Sequence, residues 1–308
     1  MAKRRPVIIT CAITGAIHTP SMSPHLPATS DAIVASAVAA GKAGATILHL
    51  HARDDETGKP DQSVEGFANI VPAIRAQTDA ILNLTTGGSP YMSVAERVRP
   101  AAHFAPELAS LNMGSMNMGL FPMLARHPEL GGWEKQHLEG SRDLVFRNSY
   151  QDIAHVLDAC RDNGTRFEFE CYDTSHLYNL AHFADQGAVE PPFFVQTVFG
   201  LLGGIGAHPD DIAHMRRTAV RLFGDDLVWS ALGAGAHQMR VAATVAAAGG
   251  HVRVGLEDSL WAGPGQLATS NADQVRMATS LIEGLGGLVA SADEARALLK
   301  LQTQKAFA

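Results

Sequence analysis

Ala45-Thr46-Ile47-Leu48-His49-Leu50-His51 is a short apolar run that closes on two histidines. Four to eight apolar and β-branched residues bounded by polar ones read as a buried strand. Side chains on a strand alternate faces, so His49 and His51 point one way while Leu48 and Leu50 point the other. Two imidazoles on one face, roughly 7 Å apart along a strand, can close on a single divalent ion. Two hydrogen-bonded core histidines would give the same spacing. The choice turns on whether a third ligand and a suitable barrel exist elsewhere in the chain.

Working outward, runs of the same kind recur at Val7–Ile13, Ala80–Thr85, Leu108–Asn112, Arg166–Tyr172, Phe193–Phe199, Leu227–Leu232 and Val252–Glu257. Segments with helical apolar spacing separate them, among them Ala32–Ala43, Val64–Gln77, Asp210–Phe223, Gln238–Ala248 and Asn271–Leu285. Strands alternating with crossover helices predict an α/β fold, a (β/α)8 TIM barrel, as a single domain over residues 1–308. A doubly wound sheet fits less well, because no Gly-x-Gly-x-x-Gly turn follows the first run. Met113–Ser149 is too long for one strand-to-helix connection and reads as an insertion after the fourth strand, placed over the barrel mouth. Ser30 or Asp31 is expected to cap the first helix.

The composition narrows the class. With 46% hydrophobic residues, 308 residues bury a large core; 18% charged residues and a net charge of −7 argue against a nucleic-acid binder. No apolar run approaches membrane-spanning length, and Cys11, Cys160 and Cys171 have no paired spacing. Reduced thiols in a cytoplasmic protein are the expectation.

In a barrel of this type the chemistry sits at the C-terminal ends of the strands. Polar residues gather there: His49 and His51; Asn83 and Thr85, then Thr86-Gly87-Gly88; Ser110 and Asn112; Glu168 and Glu170; Arg253, Glu257 and Asp258. A buried ion pair between Glu168 and Arg166 or Arg253 would be structural, and Thr85–Gly88 also reads as a tight turn. Polar pairs at the upper ends of five strands are harder to explain by packing, since every buried polar group needs a partner. Glu257 supplies a third ligand. Two imidazoles, one carboxylate and an open position suit a catalytic Zn2+, although Fe(II), Mn or Co accept the same donors. Asp258 and Glu170 can take a proton, and Arg253 can steady a carboxylate or lower the Asp258 pKa.

These residues, with Ile13-Thr14-Gly15-Ala16, Gly249-Gly250-His251, Gly255-Leu256-Glu257-Asp258 and Ser270-Asn271-Ala272, resemble the β-keto acid cleavage enzyme family nearly end to end. The resemblance implies a zinc-dependent barrel that exchanges acyl units between a β-keto acid and acetyl-CoA, releasing acetoacetate and a new acyl-CoA. It places the metal on His49, His51 and Glu257, and the base on Asp258 paired with Arg253. The family's hydroxyl falls on Thr85 and its fifth-strand acid on Glu170. Substrate contacts fall on Gly88, Ser110 and Asn112. Thr85, Thr86, Gly87 and Gly88 are also expected to offer anion donors, aided by the N-terminus of a following helix. Gly200–Gly206 and Gly233–Gly235 are candidates for the CoA phosphates, with tight turns as the competing reading. Family barrels commonly form dimers or tetramers.

Two departures bear on specificity. The aminohexanoate-cleaving member has a Glu after Ile-Thr-Gly-Ala, suited to an ammonium group; this chain has Ile17, then His18. A neutral or apolar substrate tail is expected, with an extra carboxylate near His18 as the alternative. Ala236 stands where members often carry Arg, which weakens that turn as a basic CoA clamp. A metal-dependent hydrolase on the same barrel and a sealed metal-binding scaffold are the competing functions.

Overall fold

The computed structural model describes residues 6–302. Strands β1 (Ile9–Ala12), β2 (Ile47–Leu50), β3 (Ile81–Leu84), β4 (Leu108–Asn112), β5 (Arg166–Cys171), β6 (Phe193–Phe199), β7 (Leu227–Gly233) and β8 (His251–Val254) pair in sequence order. β8 returns to β1, and the sheet closes. All of these pairings are parallel. Closure sets aside the doubly wound alternative, which has open edges.

The barrel helices are α1 (Ser30–Lys42), α2 (Val64–Arg75), α3 (Arg99–Phe104), α4 (Tyr150–Ala159), α5 (Thr174–Asp185), α6 (Pro209–Phe223), α7 (Gln238–Ala247) and α8 (Asn271–Gly284). A final helix, α9 (Ala292–Leu299), follows. Thr29, not Ser30 or Asp31, caps α1, its hydroxyl accepting from Ala32 N–H. The extended backbone of a cap begins one residue earlier, which leaves Ser30 in the first turn and Asp31 beside the positive end of the helix. No helix among the described residues is long and apolar enough to cross a membrane.

Strand alternation sorts the core into three zones. Outward-facing Ile9, Cys11, Leu48, Leu50, Leu82, Leu84, Phe169, Val195, Trp229 and Val252 pack against the helices. Inward-facing Ile8, Ile47, Ile81, Leu108, Phe194 and Val228 plug the N-terminal end together with Leu299. Above this plug the interior turns polar: Thr10, Asn83, Glu168, Gln196 and Ser230 are fully buried. The insertion roofs the mouth. Its short strands Met116–Asn117 and Val145–Phe146 pair antiparallel, and its helix Gly132–Gly140 follows a 3-10 turn. Met116, Leu120, Leu138 and Phe146 pack with Leu256 and Leu260 from the loop after β8.

Strand limits differ from the sequence expectation in one place that matters. β8 ends at Val254, three residues before Glu257. Gly255 has φ +146°, and a Cβ there would sit 2.0 Å from the Ala12 carbonyl oxygen. The chain then coils, with Asp258 N–H and Ser259 N–H both donating to the Gly255 carbonyl. Because the chain folds back at Gly255, Glu257 and Asp258 both meet Arg253 at the end of β8, whereas a continued strand would have sent them to opposite faces.

Candidate metal and acid-base site

His49 and His51 flank the last residue of β2, with ring centroids 5.2 Å apart. The turn after β8 delivers Glu257 to them: Oε1 lies 3.6 Å from His49 Nε2 and 3.5 Å from His51 Nε2. All three residues are buried, and one ligand atom from each falls within 4.8 Å of the others. Glu257 Oε2 is buried without a hydrogen-bond partner. Burial and the nearby Arg253 charge hold His49 far below the ordinary histidine pKa, which disfavours its protonated form. Burial alone would raise the Glu257 carboxyl; His51, His49 and Arg253 outweigh it and push the pKa well down. Two imidazoles and a carboxylate with one orphaned oxygen are the donor set a divalent cation needs.

Arg253 organises the acids around that trio. Its Nε and Nη2 donate to the two carboxylate oxygens of Asp258 at 2.9 and 3.0 Å. Nη2 also donates to Glu257 at 2.7 Å and Nη1 to Glu170 at 2.9 Å. Glu168 stands further off, 3.7 Å from Nη1. Glu170 in turn accepts from Asn112 Nδ2 and the Tyr172 hydroxyl. One guanidinium thus faces several buried carboxylates. A second positive centre at the histidines would offset the excess. Burial pushes the Asp258 carboxyl up to about 6, Arg253 opposing and Glu257 reinforcing the rise. A carboxylate raised in this way is a stronger base near neutral pH.

The turn after β3 corrects the expected anion cradle. Gly87 N–H and Gly88 N–H both donate to Thr85 Oγ1, at 3.0 and 3.3 Å, and the Thr86 hydroxyl donates to the Ser110 carbonyl. Those donors are committed within the protein. No helix begins at Gly88 either; the next helical turn is Val94–Arg97, capped by Ser93. What remains is the Thr85 hydroxyl, which accepts two amides and keeps its own proton to give. It lies near Asn112, whose Oδ1 and the Thr85 oxygen both border Gly87. Ser110 is buried deeper in β4, opposite Glu168.

Ile17 and His18 line a cavity of about 300 Å3 that also touches Arg253, Glu257 and Asp258. Gly200, Leu201, Leu202, Gly235, Ala236 and His237 form its outer rim, so both glycine-rich turns reach the mouth. Gly203 also serves packing, since a Cβ there would lie 1.7 Å from the Asn117 carbonyl oxygen of the insertion. The rim's guanidinium is Arg126, from the insertion. Periodicity had no means of placing Arg126 there, because the insertion follows no barrel repeat. Arg53, just after β2, is the buried strut of this region. It donates to the Thr14 hydroxyl and to the carbonyls of Thr14, Gly15, His18 and Gly58.

The family model for beta-keto acid cleavage enzymes matches residues 6–301. The chain belongs to the β-keto acid cleavage enzyme family. It is 63% identical over 303 residues, 98% of each chain, to the 3,5-dioxohexanoate:acetyl-CoA acetone transferase of Paraburkholderia graminis. It is 32% identical to the 3-keto-5-aminohexanoate cleavage enzyme of Fusobacterium nucleatum, covering 96% of this chain and 98% of that one. The solved apo structure of ObcA superposes with a TM-score of 0.69 at 21% identity, over 91% of this chain and 66% of that one, which supports the barrel fold. As a family member the protein is an acetyl-CoA-dependent acyltransferase that cleaves a carbon–carbon bond of a β-keto acid. This sets aside the hydrolase and scaffold readings.

Proposed function

We propose that the protein is a zinc-dependent enzyme that converts 3,5-dioxohexanoate and acetyl-CoA into acetoacetate and acetoacetyl-CoA. The observation that carries the substrate is the neutral Ile17 in the tail cavity, together with the relative that shares 63% of its residues. The acetonyl tail of 3,5-dioxohexanoate carries no charge and asks for no ion-pair partner there. His49, His51 and Glu257 would hold the Zn2+, which when bound polarises the substrate's keto oxygen and favours loss of the adjacent proton.

The chain's own residues account for the rest. Asp258, oriented by two hydrogen bonds from Arg253, removes a proton from the carbon between the keto and carboxylate groups. The Thr85 hydroxyl and the Asn112 amide steady the substrate carboxylate. Glu170 fixes the other arm of Arg253, so that the base is held while its charge changes. The resulting carbanion equivalent attacks the thioester carbonyl, forming a carbon–carbon bond and releasing CoA thiolate. That thiolate adds to the original ketone. Breaking the old carbon–carbon bond then releases the acyl-CoA of the tail and the enolate of acetoacetate, which takes back the proton held on Asp258, so every atom of both substrates appears in the products. Arg126 and the two glycine-rich turns, which line the same cavity, would receive CoA.

A cytoplasmic homo-oligomer, dimer or tetramer, is the setting this reading expects; the buried, unpaired state of Cys11, Cys160 and Cys171 supports a reducing compartment. The test is direct. Purified protein incubated with 3,5-dioxohexanoate and acetyl-CoA should form acetoacetate and acetoacetyl-CoA in equal amounts. Cleavage of 3-oxoadipate or the aminohexanoate in preference would overturn the substrate, and absence of zinc from active protein would overturn the metal.

A further inference from the structure

His18 has a fixed tautomer. Its Nδ1 lies 3.0 Å from the carbonyl oxygen of Leu256. A carbonyl oxygen only accepts, so Nδ1 carries the ring proton. Burial, opposed by that hydrogen bond and aided by Arg53, pushes the His18 pKa down to about 4, and the ring is neutral. Nε2, on the opposite edge, is then a bare lone pair. No group among the described residues donates to it, and the ring lines the same cavity as Ile17.

Resting on the substrate class proposed above, we propose that His18 Nε2 is a specificity-determining acceptor for a hydroxyl hydrogen at the fifth carbon of the substrate tail. A β-diketone supplies that hydrogen by tautomerisation: a proton leaves the fourth carbon and returns on the fifth-carbon oxygen, giving an enol conjugated with the ketone. An alcohol at the same carbon supplies it directly. A tail carboxylate would meet the lone pair acceptor to acceptor, so 3-oxoadipate is expected to be cleaved more slowly than either oxygenated neutral tail, and its preferred cleavage would overturn the acceptor role. A plain alkyl tail leaves Nε2 unpaired, and a site built for a hydrogen bond discriminates against a ligand that lacks it.

The experiment uses acetyl-CoA with 3,5-dioxohexanoate, 5-hydroxy-3-oxohexanoate, 3-oxohexanoate and 3-oxoadipate, on wild type, His18→Asn and His18→Gln. The asparagine amide can keep the bond to Leu256 but has no atom at the Nε2 position; glutamine places a polar atom there. Wild type should favour both oxygenated neutral tails over 3-oxohexanoate by about tenfold or more in kcat/KM. His18→Asn should erase that preference mainly through KM, and His18→Gln should restore part of it. An equal loss on every substrate in His18→Asn would overturn the acceptor role and leave His18 a strut for the Leu256 loop. Wild type that cleaves 3-oxohexanoate but not 3,5-dioxohexanoate would overturn the substrate reading itself, and the acceptor role with it.

Discussion

At the scale of single residues, the site depends on two positions that a sequence motif records without explaining. Gly15 has φ +62°, and a Cβ there would lie 2.3 Å from Glu257 Cγ. The backbone of the loop after β1 must pass this close for Glu257 to be pressed toward the histidines. Gly15→Ala should therefore displace Glu257 and cost about 1–3 kcal/mol of stability from backbone strain, with metal content falling in elemental analysis. Asp258→Asn keeps the size of the side chain and one acceptor for Arg253 but cannot take a proton. It should lower kcat by about 10²–10⁴-fold while the metal stays bound. Retention of turnover in that variant would move the base to another residue.

At the scale of elements, the end of β1 and the turn after β8 are tied together by the first residue of α8. Asn271 donates through Nδ2 to the Ile13 carbonyl and accepts through Oδ1 from Leu256 N–H. Gln238, the first residue of α7, accepts from Gly255 N–H through Oε1. Two helix starts thus hold the turn that carries Glu257 and Asp258. Replacing Asn271 by Ala leaves a buried carbonyl and a buried amide without partners, each costing about 1–3 kcal/mol. Asn271→Ala should shift the urea midpoint accordingly and reduce activity more than Gln238→Ala, which orphans one group of the turn.

For the whole molecule, the polar layer inside the barrel links stability to pH. Glu168 is fully buried, and burial pushes its pKa from 4.5 to about 8, with Arg253 opposing. The folded state keeps a proton that the unfolded chain releases above pH 4.5, so this residue's contribution falls as pH rises from there toward 8. His251 acts on the acid side. Its Nδ1 accepts from Ile8 N–H, and burial lowers its pKa from 6.5 to about 4. The unfolded chain binds this proton first, and stability falls as pH drops from 6.5 toward 4. The two terms oppose each other between pH 4.5 and 6.5, so thermal midpoints should be nearly flat there and fall on either side. Glu168→Gln should flatten the alkaline limb and His251→Asn the acid limb; unchanged limbs would refute the assignment. A chelator that strips the proposed ion should lower the midpoint, because an ion held by His49, His51 and Glu257 would bind only the folded site.

Much of this was legible in the chain itself. The alternation of buried strands and amphipathic helices determined the barrel, because strand and helix periods are local properties of the order of residues. That His49, His51, Glu257, Asp258 and Arg253 would gather in one place was legible too, since polar residues at strand ends conflict with packing unless they find partners. The tertiary structure decided what depends on contacts between distant segments. It turned Glu257 out of β8 and into a tight turn with Asp258, where Gly255 lies against Ala12 too closely for a side chain. It committed the amides of Gly87 and Gly88 to Thr85, which the motif alone presented as free donors. It brought Arg126 from the insertion to the rim, and it fixed the His18 tautomer through the Leu256 carbonyl. Periodicity is written along one chain; the direction of a hydrogen bond is decided only when a second segment arrives to accept it.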